Sequence, residues 1–191
     1  MKERGFPEKR PRRCFAGDRC GAAAIEFAIV APVFLALMFS TFEVGWFYFA
    51  NSVTDAATTS AARLVKTGQA QRWTGSDTER FERFYDVICD VVDSFGACDT
   101  HMTVEVQTYP TFEALAADPS DPTCADDDPA KITAIPFKPG KESEIVRVRV
   151  CLLYNTVNPA IGLNLAESGT SVRRITSTML FRNEPYEKNK P

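Results

Sequence analysis

Few residues of this chain could do chemistry, and where they stand is more telling than how many there are. Two glutamates lie where charge is costly: Glu26 opens, and Glu43 interrupts, a stretch that is otherwise apolar or uncharged from Phe27 to Ala50. A carboxylate inside a bilayer costs about 2–3 kcal/mol even on insertion scales, so each needs a partner or an exit to water. Glu43, in the outer half of the stretch, is expected to reach headgroups or water. Six cysteines form the second group. Cys14 and Cys20 precede the apolar stretch, whereas Cys89, Cys98, Cys124 and Cys151 follow it. An even number after a membrane segment fits an oxidising compartment and two disulfides. Four cysteines allow three pairings. The favoured one joins Cys89 to Cys98, at the exit of a helix, and Cys124 to Cys151, pinning a loop to a strand.

The remaining reactive residues argue against catalysis. His101 is the single histidine, and no C-x2-C pair accompanies it, so a zinc site is not expected. P-loop, G-x-S-x-G and dinucleotide fingerprints are all missing. The sequence therefore predicts neither an enzyme nor a cofactor. Asp118, Asp121, Asp126, Asp127 and Asp128 could offer oxygens to calcium, but they lack D-x-D-x-D-G spacing and read as a solvated loop. Charge is distributed unevenly. Residues 1–21 hold seven basic side chains against three acids, and the rest of the chain is net −7. A basic head before an apolar run reads as membrane topology rather than nucleic-acid binding.

The elements that must position these residues begin with the apolar run. Phe27 to Phe42 is free of charge, and past Glu43 the run extends through Trp46 and Tyr48 to Ala50. About 20 apolar residues cross a hydrocarbon core of roughly 30 Å. The run is too long, and too aromatic at its end, for a cleaved secretory signal. The organisation expected is a basic cytoplasmic leader over 1–21, a transmembrane helix over 22–50 that continues as an exposed helix to about residue 67, and an α+β domain over 68–191. Pro32 leaves the Ala28 carbonyl without its helical donor, so a kink is expected there. Gly68 suits a helix end. Ser76 or Asp77 caps a second helix with Phe81, Phe84, Tyr85, Ile88, Val91 and Val92 at helical spacing up to Gly96. Residues 102–109, 143–154 and 172–181 alternate as strands, the middle one the strongest. A helical turn over 111–117, a Pro/Asp-rich loop over 118–129 and a connection over 159–169 lie between them. The fold class is α+β, a long helix followed by a second helix and a three-stranded or similar antiparallel sheet.

Arg19-Cys20-Gly21-Ala22-Ala23-Ala24-Ile25-Glu26-Phe27 resembles a prepilin-peptidase site: a glycine after a basic leader, a glutamate five residues on, then phenylalanine and an apolar helix. The resemblance implies cleavage after Gly21 and a new amine on Ala22. Glu26 would then pair with that amine in a neighbouring subunit, so that two charges costly in the bilayer neutralise one another. Ala22, Ala23 and Ala24 keep the helix end thin for close packing. The stretch from Gly21 to Leu35, with Glu43, Ala61-Ala62-Arg63 and Thr67-Gly68, looks like the TadE-like family, minor pseudopilins of the tight-adherence (Tad/Flp) pilus system. Phe181-Arg182-Asn183-Glu184-Pro185-Tyr186 resembles the closing motif of the same group. That resemblance implies a bacterial inner-membrane protein with a cytoplasmic N-terminus and a periplasmic domain, either retained there or passed to a pilus. Its implied partners are the lipid bilayer, a prepilin peptidase and other pilus subunits, one a paralogue. Cys20, directly before the presumed cut, departs from the pattern, and Cys14 and Cys20 have no assigned role. Two alternatives stay open: a signal-anchored periplasmic binding or sensing module, and a minor pseudopilin of a type II secretion system.

Overall fold

The structure, a computed structural model, describes residues 21–93, 98–156, 165 and 171–186. Helix α1 spans Ala22–Lys66 and is continuous through Pro32. At 1.5 Å per residue it is roughly 67 Å long. It ends at Gly68, whose φ of 75° is left-handed, a conformation only glycine adopts at little cost. Short α2 (Gln69–Arg72) turns the chain toward α3 (Asp77–Val92). A full capping box starts α3, in which the Ser76 hydroxyl accepts from the Glu79 N–H and the Glu79 carboxylate accepts from the Ser76 N–H, satisfying two otherwise orphaned donors. That hydrogen bonding, led by the Ser76 N–H, holds the Glu79 carboxyl below its ordinary pKa. The expected extension of this helix to Gly96 falls on residues 94–97, which lie outside the described residues.

One turn, α4 (Cys98–His101), leads into β1 (Met102–Tyr109). The long return carries α5 (Phe112–Ala116) and α6 (Pro129–Thr133), and then come β2 (Ile145–Asn155) and β3 (Val172–Arg182). The three strands form an antiparallel sheet in the order β1-β2-β3, with Val104 opposite Val150 and Val150 opposite Ser177. A fold of helices packed on a three-stranded antiparallel sheet is the α+β plan the sequence implied. The turns α2, α4 and α6 were not foreseen; each is too short to establish a periodicity.

Period two divides the sheet cleanly. Val146, Val148, Val150, Leu152 and Tyr154 face the helices and are buried with Met102, Val104, Val106 and Ile175. Phe84, Ile88 and Val92 of α3 close this core from one side. From the other comes one stripe of α1, in which Ala50, Thr54, Ala57, Thr58, Ala61 and Val65 are all fully buried. Alanines there let helix and sheet approach closely. The hydroxyls of Thr54 and Thr58 donate to the carbonyls of Ala50 and Thr54 at 2.9 and 2.7 Å, so neither is buried unsatisfied.

β2 is buried on its second face as well, although it carries Arg147 and Arg149 there. The loop expected to be solvated covers this face. Arg149 grips Glu105 through Nη2 at 2.6 and 2.7 Å and Nε at 3.1 Å. Arg147 reaches the Asp118 carboxylate at 2.7 Å and stacks over the Tyr109 ring at 5.0 Å. Arg174 pairs with Asp126 at 3.0 Å and Asp127 at 3.2 Å, and Asp128 caps α6. Three acids thus meet strand arginines and a fourth satisfies a helix end, which corrects the reading of a merely solvated acidic loop. The cysteines are joined as Cys89–Cys98 and Cys124–Cys151, with Cα atoms 5.7 and 5.3 Å apart. By loop length each contributes about 3 kcal/mol, and the second ties the covering loop to β2.

Candidate assembly helix and its seat on the domain

The head of α1 is open to its surroundings. Gly21 to Val30 are all exposed, Phe27 at 73% and Ile25 at 64%. This segment is long and apolar enough to cross a membrane, which an exposed apolar surface of this size otherwise contradicts in water. Its two hydroxyls are prepared for an apolar medium. Ser40 donates to the Ala36 carbonyl at 2.6 Å and Thr41 to the Leu37 carbonyl at 2.9 Å, leaving no hydroxyl needing water. Gly21 is the cap residue of α1 and has open space around its α-carbon. Ala22, Glu26 and Phe27 follow on the exposed first turns, so the residues that the sequence singled out stand together at the open end of α1. The expectation for Cys14 and Cys20, and for the leader before Gly21, lies outside the described residues.

Glu43 corrects a sequence expectation. Instead of reaching water it is 1% exposed, and its Oε1 accepts a hydrogen bond of 3.3 Å from the Tyr154 hydroxyl on β2. The reason is helical phase. Glu43, Phe47, Ala50, Thr54, Ala57, Ala61 and Val65 recur at intervals of three and four, so Glu43 is the first residue of the stripe that meets the sheet. Phe47 packs edge-on against Tyr154 with ring centroids 6.0 Å apart, and Arg173 of β3 lies 5.6 Å over the Phe47 ring. The seat of the helix on the domain therefore begins at Glu43, inside the apolar run. The spacing was legible in the sequence, but alanine-rich positions gave it too little hydrophobic contrast to stand out.

The far end of α1 is gripped by the closing block of the chain. The Glu184 N–H donates to the Lys66 carbonyl at 2.9 Å, capping an orphaned acceptor of the helix end. Asn183 is 2% exposed, and its Nδ2 donates to the carbonyls of Pro139 and Lys141 at 3.0 and 2.8 Å. The Tyr186 ring lies against Gly68 so closely that a Cβ there would come within 2.5 Å of it. Burial, with the nearby Glu142 and Glu144 charges, raises the Tyr186 hydroxyl above its ordinary pKa. The segments around Gly68 and around Asn183 are one contact in three dimensions.

Among the described residues, one group of potential metal ligands lies close together, and its two thiols are not free. The sulfurs of Cys89 and Cys98 lie near Asp93 but are joined to each other. His101 ends α4 with its Nδ1 2.6 Å from the Thr100 hydroxyl. Neither contact makes a reactive centre. The model of the family described as TadE-like protein matches residues 21–63. No curated protein and no solved structure matches the chain.

Proposed function

Taking the TadE-like segment over 21–63 as the premise, we propose that this chain is a structural subunit of a tight-adherence pilus assembly system, held in the bacterial inner membrane by α1. The supporting observation is that the matched segment begins at Gly21 and coincides with a helix that is exposed throughout residues 21–30 and seated on the domain from Glu43 onward. A plain anchor needs only length and apolarity. This helix also has a glycine at its head, a carboxylate little more than one turn later and a wide apolar surface in which Ile25, Phe27, Ile29, Val30, Val33, Phe34 and Leu37 are exposed. In this reading a prepilin peptidase cuts after Gly21 at the cytoplasmic face. The Ala22 amine and Glu26 of adjacent subunits then neutralise one another, and the face from Ala22 to Phe42 packs against other pilus subunits, a paralogue among them. The α+β domain lies in the periplasm, where Cys89–Cys98 and Cys124–Cys151 persist. The role is assembly rather than catalysis.

Intact mass and N-terminal sequencing of the chain from its own host's membranes test this. Processing predicts a mature chain starting at Ala22, and Gly21→Leu should block it. Glu26→Gln should be processed yet fail to assemble, because an unneutralised Ala22 amine remains. A chain starting at Met1 in the presence of active peptidase would instead make it a signal-anchored domain.

A further inference from the structure

Two flanks of the domain carry complementary surfaces that the fold itself leaves open. On the first, α1 and β3 border a groove of about 650 Å³. Leu180 is 53% exposed in it, and Arg63, Lys66 and Glu184 stand along it. Arg63 has no ion pair among the described residues, and Lys66 and Glu184 pair only at 3.8 Å with both half exposed. On the second flank, α3 turns Glu82, Asp86 and Asp90 outward at four-residue spacing, all exposed and without ion pairs among the described residues. Beside them are Arg83 and Val91, the latter 41% exposed. Such a row of like charges on one helix face is mildly destabilising by itself.

The two flanks lie toward opposite edges of the sheet. α3 packs on α1 and reaches the β1 side, where the Tyr85 hydroxyl donates to the Cys98 carbonyl at 2.5 Å and Phe84 meets Phe137 at 5.6 Å. The groove lies at β3, the other edge of the sheet. We propose that the α3 face of one copy seats in the α1–β3 groove of a second copy of this chain, with Asp86 and Asp90 against Arg63 and Lys66, Arg83 toward Glu184, and Val91 against Leu180. Each charge type on one surface finds its opposite on the other. Because the two surfaces differ, the contact is heterologous and repeats from copy to copy instead of closing as a two-fold dimer. Anchoring by α1 gives neighbouring copies a common orientation, which a repeating lateral contact requires. This deepens the subunit reading and rests on it.

The test uses the processed full-length chain in liposomes, labelled in separate donor and acceptor populations, with energy transfer read against protein density and salt. Wild type should associate, and salt should weaken the association. Asp86→Lys with Asp90→Lys, and separately Arg63→Glu with Lys66→Glu, should each weaken self-association by about tenfold. Mixing the two reversed chains should restore transfer, since each then offers the surface the other needs, and recovery by mixing also shows that both variants are folded. Wild type that does not associate, variants that associate as wild type does, or a mixture that fails to recover would each overturn the interface. If the same preparation starts at Ala22, such a failure leaves the subunit reading intact. A preparation starting at Met1 removes that reading whatever the transfer shows.

Discussion

Asp118 shows how a residue acquires its role from partners far away in the chain. Its carboxylate accepts from the Tyr109 hydroxyl, from Ser120 at 2.7 Å and from Arg147 at 2.7 Å. These donors, the Tyr109 hydroxyl first, hold its carboxyl well below the usual carboxylate range. Burial and the same hydrogen bond push the Tyr109 hydroxyl up to about 12. A carboxyl with a lowered folded-state pKa adds stability that is complete above its unfolded value, about pH 4, and is lost as pH falls toward the folded one. A tyrosine raised to about 12 adds stability that is complete below about pH 10 and fades as pH rises toward 12. Asp118→Asn should therefore lower the urea midpoint at pH 7, and the gap to wild type should narrow steadily below about pH 4. A gap independent of pH would mean that shape, not charge, sets the contribution of Asp118.

At the scale of elements, the contact between the end of α1 and the closing block is the most constrained in the molecule. Gly68 must have positive φ and must also lack a Cβ, because the Tyr186 ring occupies that space. Gly68→Ala meets both restrictions: the left-handed backbone costs about 1–2 kcal/mol, and the ring has to move as well. The expected result is a loss of at least about 1 kcal/mol in denaturant unfolding. Faster amide exchange at Glu184, whose N–H caps α1, should accompany it. If stability falls while exchange at Glu184 does not change, the ring and the cap are independent. The capping box of α3 and the strand alternation of β2 are elements of another kind, because their determinants lie within a few residues and could be read directly. The grip on Gly68 joins segments more than a hundred residues apart, and nothing along the chain marks the two as a contact.

On the scale of the whole molecule, α1 is two things end to end. Toward its head it is an apolar rod, exposed throughout residues 21–30; from Glu43 it supplies one wall of the domain core. A domain beginning at residue 68 would leave Val146, Val148, Val150 and Ile175 without the alanine stripe that covers them. A fragment of residues 43–191 should therefore fold in water with both disulfides formed and a cooperative thermal transition. A fragment of residues 68–191 should remain without one. Cooperative unfolding of the shorter fragment would show that the helix rests on the core without completing it.

What the sequence determined by itself was whatever depends on neighbours along the chain. The charge step, the length of the apolar run, the period-two strands, a helix cap at Ser76 or Asp77 and the pattern from Gly21 to Phe27 are local, and each rests on short-range sterics, hydrogen bonding or transfer free energy. The tertiary structure alone decided the fate of charges. Glu43 is buried because the phase of α1 brings it under Tyr154, and the acidic loop covers the sheet because Arg147, Arg149 and Arg174 rise from strands to meet it. Burying a charge is favourable only beside an adequate partner, and the chain sets those partners tens of residues apart, so nothing short of the folded arrangement could identify them.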